Sequence, residues 1–451
     1  MSTKPFFKQL ILTFMTSFLA LHAFGQPLVP TTLTAATGGT ALHIQHWETS
    51  KGVPVYFVRA PELPMLDVEV MFHAGSAQEG DQFGLAQLTS ALLNEGAGNL
   101  SADQIGEQFD AVGAIFSSDA NRDMAMVGLR SLTEPQFLDP ALQTFTTVLT
   151  SPTFSPDAFQ RIRNQLLVVL DQELQSPVTI GAKALYKGLY PNHPYGHSPN
   201  GTSEAIKKLT PSDVKQFYQQ YYVTKNAIIA LVGNVTTEQA SRIAEQVTQS
   251  LPEGKAAPAI PIAPEPAQTV QKNIQFPSQQ TTVILGQVGI TPTDPDYFPL
   301  IVGNFILGSD TLSRLFKQVR EERGWAYQVS SRFTPLQGRG SFIILLQTRN
   351  SEASKALELS KNILQDYIQN GPTPSELAYA QQHMTGEFPL AIASNSNILA
   401  QISNIGFYGL PLDYLDTYRQ HINAVTVEQI KRAWQQHVDP KKMSIVTVGQ
   451  P

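Results

Sequence analysis

The hydrophobic positions of this chain follow two spacings. Segments that alternate between apolar and polar residues, or run continuously apolar, are typical of strands. They are residues 55–58, 66–72, 124–129, 281–285 and 341–346. Segments with apolar residues three and four positions apart predict amphipathic helices. They are residues 154–175, 351–369, 375–387 and 427–437. The mixture favours an α+β fold, with helices packed on one face of each sheet.

The pattern repeats after about half the chain. Residues 195–234 and 408–449 share Tyr-Gly, an Ile before a Leu-Thr or Val-Thr helix cap, an amphipathic helix, a Lys turn and a β-branched strand. Both copies end with Val-Gly, at Gly233 and Gly449. Because a period this long indicates a duplicated domain and not a solenoid, we expect two related domains. Two coincidental helix–strand units are the alternative.

A stretch rich in Pro and Ala at 251–266 separates the two copies. Its prolines interrupt both helices and central strands, so it predicts an extended linker, which we place at 251–270. The first domain then covers 41–250 and the second covers 271–451.

The N-terminus has the features of a secretory signal. Lys4 and Lys8 precede an apolar run at 10–23, and Ala23-Phe24-Gly25 supplies small residues before a cleavage point. We therefore expect a signal peptide at 1–25, a flexible segment at 26–40, and a periplasmic or secreted protein without stable membrane insertion. An uncleaved N-terminal anchor is the alternative, although the apolar run is short for a membrane span.

Composition narrows the classes of function. The 451-residue chain has a formal net charge of −6 and no basic block, which argues against nucleic acid as a partner. It contains no cysteine, which excludes disulfides, thiolate zinc sites and a lipoprotein anchor.

Three sequence motifs resemble the pitrilysin/insulinase-type zinc peptidases, and the resemblance covers almost the whole mature chain. The motifs are AGSAQEGDQFGLA ending at Ala86, YPNHPYGHSPNGTSEAIKKLTPSDVKQFYQQYY with KNAIIALVGNV after it, and ILGSDTLSRLFKQVREERGWAYQVSS at 306–331. The resemblance implies two duplicated domains, each a mainly antiparallel sheet with helices on one face.

The same resemblance exposes a lost metal site. Active members carry H-x-x-E-H where this chain has Gln87, Ser90 and Ala91. An amide is a poor zinc ligand, a neutral hydroxyl is no base near neutral pH, and a methyl group is neither. The further ligand position of the family falls near Val168 or Val169, and Glu173 is the nearest acid. We therefore expect no catalytic residue and no metal on this chain.

His193 and His197 have the spacing H-x-x-x-H, but they lie in a proline-rich loop. We interpret both as turn and packing residues, and metal binding is the alternative.

The third motif suggests a different role. Leu312, Leu315, Phe316 and Val319 predict an amphipathic helix over 311–323, which Gly324 ends before a strand at 325–330. The resemblance implies that Arg320 and Tyr327 bind the backbone of a substrate peptide. The structural alternative is an Arg that complements a helix dipole and a Tyr that packs in a strand.

Together these features predict a catalytically silent subunit of an exported, heterodimeric zinc metallopeptidase. The partner would be an H-x-x-E-H homologue that supplies zinc, and the substrate would be a peptide or unfolded protein. One alternative is a non-enzymatic scaffold or peptide-binding protein. The other is an independently active hydrolase whose site the sequence does not reveal.

Overall fold

The computed structural model describes residues 42–450. The expected signal peptide and the segment that follows it lie outside the described residues. No helix within 42–450 is long and apolar enough to cross a membrane.

The five strands and four helices predicted from the hydrophobic pattern are present, with ends shifted by a few residues, and the structure contains further elements. The strands are β1 (Gln45–Glu48), β2 (Pro54–Arg59), β3 (Met65–Phe72), β4 (Gly96–Ala97), β5 (Leu100–Ser101), β6 (Ile115–Ala120), β7 (Ala125–Leu132), β8 (Ala227–Gly233), β9 (Gln271–Gln275), β10 (Gln280–Val288), β11 (Ala326–Thr334), β12 (Ser341–Arg349) and β13 (Ser444–Gly449).

The helices of the first half are α1 (Leu85–Ala91), α2 (Ala102–Ala111), α3 (Pro135–Thr150), α4 (Pro156–Glu173), α5 (Pro177–Leu189), α6 (Ser203–Lys208), α7 (Pro211–Tyr221) and α8 (Thr237–Gln249). Those of the second half are α9 (Tyr297–Asn304), α10 (Ala353–Asn370), α11 (Pro374–Glu387), α12 (Asn395–Tyr408), α13 (Tyr414–Ala424) and α14 (Val427–His437). Two π-helical turns occupy Phe305–Ser309 and Phe316–Glu321. The predicted α+β fold is confirmed.

The two large sheets have the same connectivity. The first has the order β1-β2-β8-β3-β7-β6, and the second has the order β9-β13-β10-β12-β11. In each sheet the last strand in sequence lies between a parallel neighbour and an antiparallel neighbour. Apart from β1, which is added at one edge, the strands of the first sheet correspond one to one with those of the second. The structure therefore supports a duplication.

Matching local signals build the two copies. Thr210 begins α7 and Thr426 begins α14, and each forms a capping box with the residue three positions later. Gly233 ends β8 where a Cβ atom would lie 2.2 Å from the carbonyl oxygen of Met65. Only glycine allows this close approach of the two strands.

Each sheet is covered on its second face by a helix from the other half. One face of the first sheet packs on helices of its own half, whereas α12 packs on the opposite face of β2, β3 and β8. In the same way, α5 of the first half packs on β10 and β13 of the second sheet. The helices are therefore exchanged, and the two halves share their cores.

The segment 251–270 contains no helix or strand, but it is attached to the body of the protein. Ile260 and Ala263 are buried, and the backbone N–H of Ala263 donates to the carbonyl of Gly338 at 2.7 Å. The side chain of Asn226 accepts from the N–H of Ala257 at 2.6 Å. The linker is therefore held by both halves.

Candidate functional site

Helix α1 carries the three positions that correspond to the two zinc-binding His and the general base Glu of the H-x-x-E-H motif. Gly84 precedes it with φ +95°, a conformation that favours glycine. The carboxylate of Glu79 accepts the backbone N–H groups of Gly84 at 2.7 Å and Ala86 at 3.0 Å, so it caps the first turn. Glu79 is fully enclosed, and this burial raises the pKa of its carboxyl group. The capping carboxylate fixes the start of α1.

None of the three positions carries a side chain that binds zinc strongly. The amide of Gln87 donates to Oδ1 of Asp119 on β6 at 3.3 Å. Ser90 is completely buried, and its carbonyl accepts from the hydroxyl of Ser118 at 3.0 Å. Ala91 packs against the first core. The side chain of Gln87 and the backbone of Ser90 therefore connect α1 to β6, while Ala91 contacts the core.

The expected further ligand position on α4 is also apolar. Val168 is 55% exposed, and the neighbouring Leu167 packs against the first core. Glu173, the nearest acid, accepts from Lys183 at 2.5 Å and from Asn200 at 2.7 Å. Both of its oxygens are thus engaged in structural contacts.

The two loop histidines do not converge on a shared point. Nε2 of His193 lies 2.7 Å from the carbonyl of Pro261, and burial lowers the pKa of this imidazole. Nε2 of His197 lies 2.8 Å from Glu79, and its ring stacks on Phe83 at 4.4 Å. Both contacts agree with the interpretation of these residues as turn and packing residues.

Within residues 42–450, one group of three side chains has the spacing of metal ligands. It consists of Asp294 and Asp296, just before α9, and His437, at the end of α14. Arg432 already pairs with Asp296 at 2.7 Å, and His437 lies 3.2 Å from the other oxygen of Asp296. This group forms an ion-paired contact between α9 and α14, in the half of the chain that does not contain α1.

The helix expected at 311–323 is shorter than its apolar pattern predicts. Helical structure covers 314–321 and includes the π-helical turn, while Leu312 is 61% exposed and does not belong to the buried stripe. Leu315 and Val319 are fully buried, as expected. Gly324, with φ +62°, ends the helix and donates to the carbonyl of Arg320 at 3.0 Å.

Arg320 and Tyr327 lie close together. Cζ of Arg320 is 5.6 Å from the ring centroid of Tyr327 and 4.7 Å from that of Phe316. No carboxylate oxygen of the described residues lies within 4.0 Å of the Arg320 guanidinium nitrogens. The guanidinium therefore has hydrogen-bonding capacity left for a ligand.

A β-bulge explains the position of Tyr327. Ala326 pairs with Thr348 and Gln328 pairs with Gln347, so Tyr327 is the extra residue of β11. Bulges redirect a side chain out of the ladder, and Tyr327 is 72% exposed. The sequence contains no signal for this bulge, because the register depends on β12.

The edge strands of the two sheets differ in accessibility. At β11, the carbonyl of Ser331 accepts from Asn304 at 3.2 Å and from Ser309 at 3.1 Å, so side chains cover part of that strand. In the described chain, no side chain bonds the backbone of β6 between Ile115 and Asp119. The β6 edge, beside α1, is therefore available to an added strand.

The comparisons with known proteins agree with this geometry. Residues 55–203 match the family Insulinase (Peptidase family M16), and residues 208–384 match the Peptidase M16 inactive domain. A crystal structure of a peptidase M16 inactive domain from Pseudomonas fluorescens is 41% identical, covers 91% of this chain and 98% of its own, and superposes with a TM-score of 0.88. The chain belongs to peptidase family M16.

Two further proteins are similar to this chain, one named as a non-peptidase and one as a protease. The non-peptidase homolog YmxG of Helicobacter pylori is 26% identical over 94% of this chain and 98% of its own. The structure of the periplasmic protease PqqL from Escherichia coli, 17% identical with a TM-score of 0.77, matches 98% of this chain but only 50% of its own. The fold, the family and the substituted positions on α1 identify an inactive M16-like homologue.

Proposed function

We propose that this chain is the catalytically silent subunit of an exported, two-subunit M16 zinc peptidase. The observation that carries the proposal is that the exposed Tyr327 lies beside Arg320, while helix α1 has no strong zinc ligand at its H-x-x-E-H positions. A guanidinium and a phenol both donate to carbonyl oxygens, so they would hold the backbone of a substrate peptide. Zinc, bound by the partner, would activate the attacking water.

The architecture gives further support to a two-subunit assembly. PqqL contains about twice the chain length that aligns here, so one chain of that protein has room for two units of this size. In the proposed complex, this chain and an H-x-x-E-H homologue would supply one unit each. The unpaired edge of β6 would accept an extended peptide by strand addition.

Purification of the tagged chain from its native envelope tests the assembly. We expect an H-x-x-E-H homologue to co-purify and the mixture to cleave an unfolded peptide faster than the homologue alone. A homologue that is fully active by itself and gains nothing from this chain would refute the proposal. N-terminal sequencing of the exported protein tests cleavage after residue 25.

A non-enzymatic peptide-binding protein is the second candidate, and the open edge of β6 favours it. For this candidate, the chain alone would bind an unfolded peptide, as measured by fluorescence anisotropy, without changing the activity of any homologue. Chelator-insensitive cleavage by the isolated chain would instead point to an independent hydrolase.

A further inference from the structure

His193 lies where the linker meets the loop that follows α5. Its Nδ1 accepts the backbone N–H of Tyr195 at 3.2 Å, and its Nε2 lies 2.7 Å from the carbonyl oxygen of Pro261. Because a backbone N–H only donates and a carbonyl only accepts, Nδ1 must carry a lone pair and Nε2 must carry the proton. These two contacts select the neutral Nε2–H tautomer of His193.

Tyr195 extends this contact to the hairpin turns of both halves. Its hydroxyl donates to Oδ1 of Asp123 in the β6–β7 turn, and it accepts the N–H of Gly338 in the β11–β12 turn at 2.9 Å. The carbonyl of Gly338 accepts in turn from Ala263 of the linker at 2.7 Å. We call His193, Tyr195, Asp123, Pro261 and Gly338 the linker joint.

We propose that the linker joint is a proton-sensitive switch, in which protonation of His193 releases the linker from the junction between the two halves. A proton on Nδ1 would face the N–H of Tyr195, so two donors would point at each other and the hydrogen bond would be lost. The Tyr195 turn would then have to move, and with it the contacts to Asp123 and Gly338. This inference does not depend on the proposed peptidase role.

Burial opposes the protonation of His193. It lowers the pKa of this imidazole and outweighs the Pro261 carbonyl and the Asp123 carboxylate, which both raise it. Asp123 already accepts from the hydroxyls of Tyr195 and Tyr408 and from the N–H of Gln337, so it is not free to pair with an imidazolium. The other close neighbours are the rings of Tyr190 and Tyr195, with centroids 5.7 and 4.7 Å away.

The direction of the pH effect follows from this lowered pKa. At pH values below 6.5, the ordinary pKa of histidine, His193 binds a proton in the unfolded or released state but stays neutral in the closed joint. The closed joint therefore loses stability as the pH falls through that range, and it is fully formed at neutral pH.

Hydrogen exchange of the full mature chain tests the switch. The reporter is the amide of Ala263, and its protection is corrected for the intrinsic exchange rate at about pH 7.5 and about pH 5. We expect wild-type protection to fall on the order of tenfold in acid. H193Q, which keeps a neutral donor, should lose this dependence, whereas H73Q should keep it. His73 is the matched control, because burial also lowers the pKa of this half-buried imidazole and Asp123 also raises it, but its ring stacks on Phe407 and bonds no part of the linker.

Two results would overturn the proposal: equal protection of Ala263 at both pH values in the wild type, or wild-type pH dependence in H193Q. If H193Q does not fold, ¹³C-histidine labelling of the wild-type chain takes its place. A resonance assigned to His193 that titrates together with the protection of Ala263 supports the switch. A His193 resonance that titrates without any change in that protection, or does not titrate while the protection falls, refutes it.

Discussion

The hydroxyl of Tyr408 donates a 2.9 Å hydrogen bond to Oδ2 of Asp123, and this bond links the last residue of α12 to the β6–β7 turn of the other half. The second copy has a counterpart. Tyr190, at the end of α5, donates to the carbonyl of Gly340 in the β11–β12 turn at 2.5 Å. Each exchanged helix is thus secured to a hairpin turn of the opposite half, which makes the two halves one structural unit.

We expect Tyr408→Phe to destabilise the protein more than Tyr190→Phe. The first change removes a donor from a buried carboxylate, at a cost of about 1.5–3 kcal/mol. The second removes a donor from a neutral carbonyl, at a cost of about 1 kcal/mol. Urea denaturation of both variants measures the difference. A larger loss for Tyr190→Phe would contradict the assigned roles of the two bonds.

Gly303→Ala should destabilise the second half by at least about 1–3 kcal/mol, because overpacking a closed core costs this much. A Cβ atom at Gly303 would lie 2.1 Å from Nε1 of Trp434, which is completely buried among aromatic rings. Gly386→Ala is the matched control, since a Cβ atom in that helix meets nothing within 4 Å. It should be neutral or stabilising by up to about 1 kcal/mol. Equal effects of the two changes in thermal denaturation would refute this account.

Arg320→Ala and Tyr327→Phe should lower the turnover of the proposed complex by on the order of 10²-fold, if both donate to the scissile carbonyl. Assembly should be unaffected, because neither side chain belongs to the buried stripe of Leu315 and Val319. Steady-state kinetics of the reconstituted complex checks this, with Arg323→Ala as the control. Wild-type turnover in both variants would show that the pair is structural.

The triple change Gln87→His, Ser90→Glu and Ala91→His should not create zinc-dependent activity. The α4 position that would complete the ligand set is apolar, and Gln87 and Ser90 are buried. Zinc analysis of the purified variant and of the wild-type chain checks this. One tightly bound zinc per wild-type chain would be incompatible with the loss of the metal site.

Glu69→Gln should change how stability depends on pH. Burial raises the pKa of Glu69 above its ordinary value of 4.5, while the hydroxyl of Ser403 partly offsets this by donating to it at 2.6 Å. A raised pKa means that the folded state holds its proton longer than the unfolded state, so stability decreases as the pH rises above 4.5. The neutral amide removes that decrease.

In urea titrations near pH 4 and pH 7, the free energy of unfolding of Glu69→Gln should therefore increase relative to that of the wild type as the pH rises. Glu62→Gln, at an exposed turn residue, is the control. A stability difference between Glu69→Gln and wild type that stays the same at both pH values would count against a raised pKa.

The sequence by itself determined the elements and the missing chemistry. The spacing of apolar side chains and capping residues such as Thr210 and Thr426 are local signals, and the strands and most of the helices that they predicted are present within a few residues of the expected ends. The identities of Gln87, Ser90 and Ala91 at the H-x-x-E-H positions argued against zinc binding there without reference to any coordinates, because ligand chemistry depends on residue type.

Only the tertiary structure decided which half each helix covers. The apolar faces of α5 and α12 indicate burial but not against which sheet, because any sufficiently apolar sheet face satisfies the hydrophobic effect. The bulge that exposes Tyr327 depends on the register with β12, and the exposure of Leu312 depends on where the helix packs. Residues distant in the sequence determine both features, so the local hydrophobic pattern does not predict them.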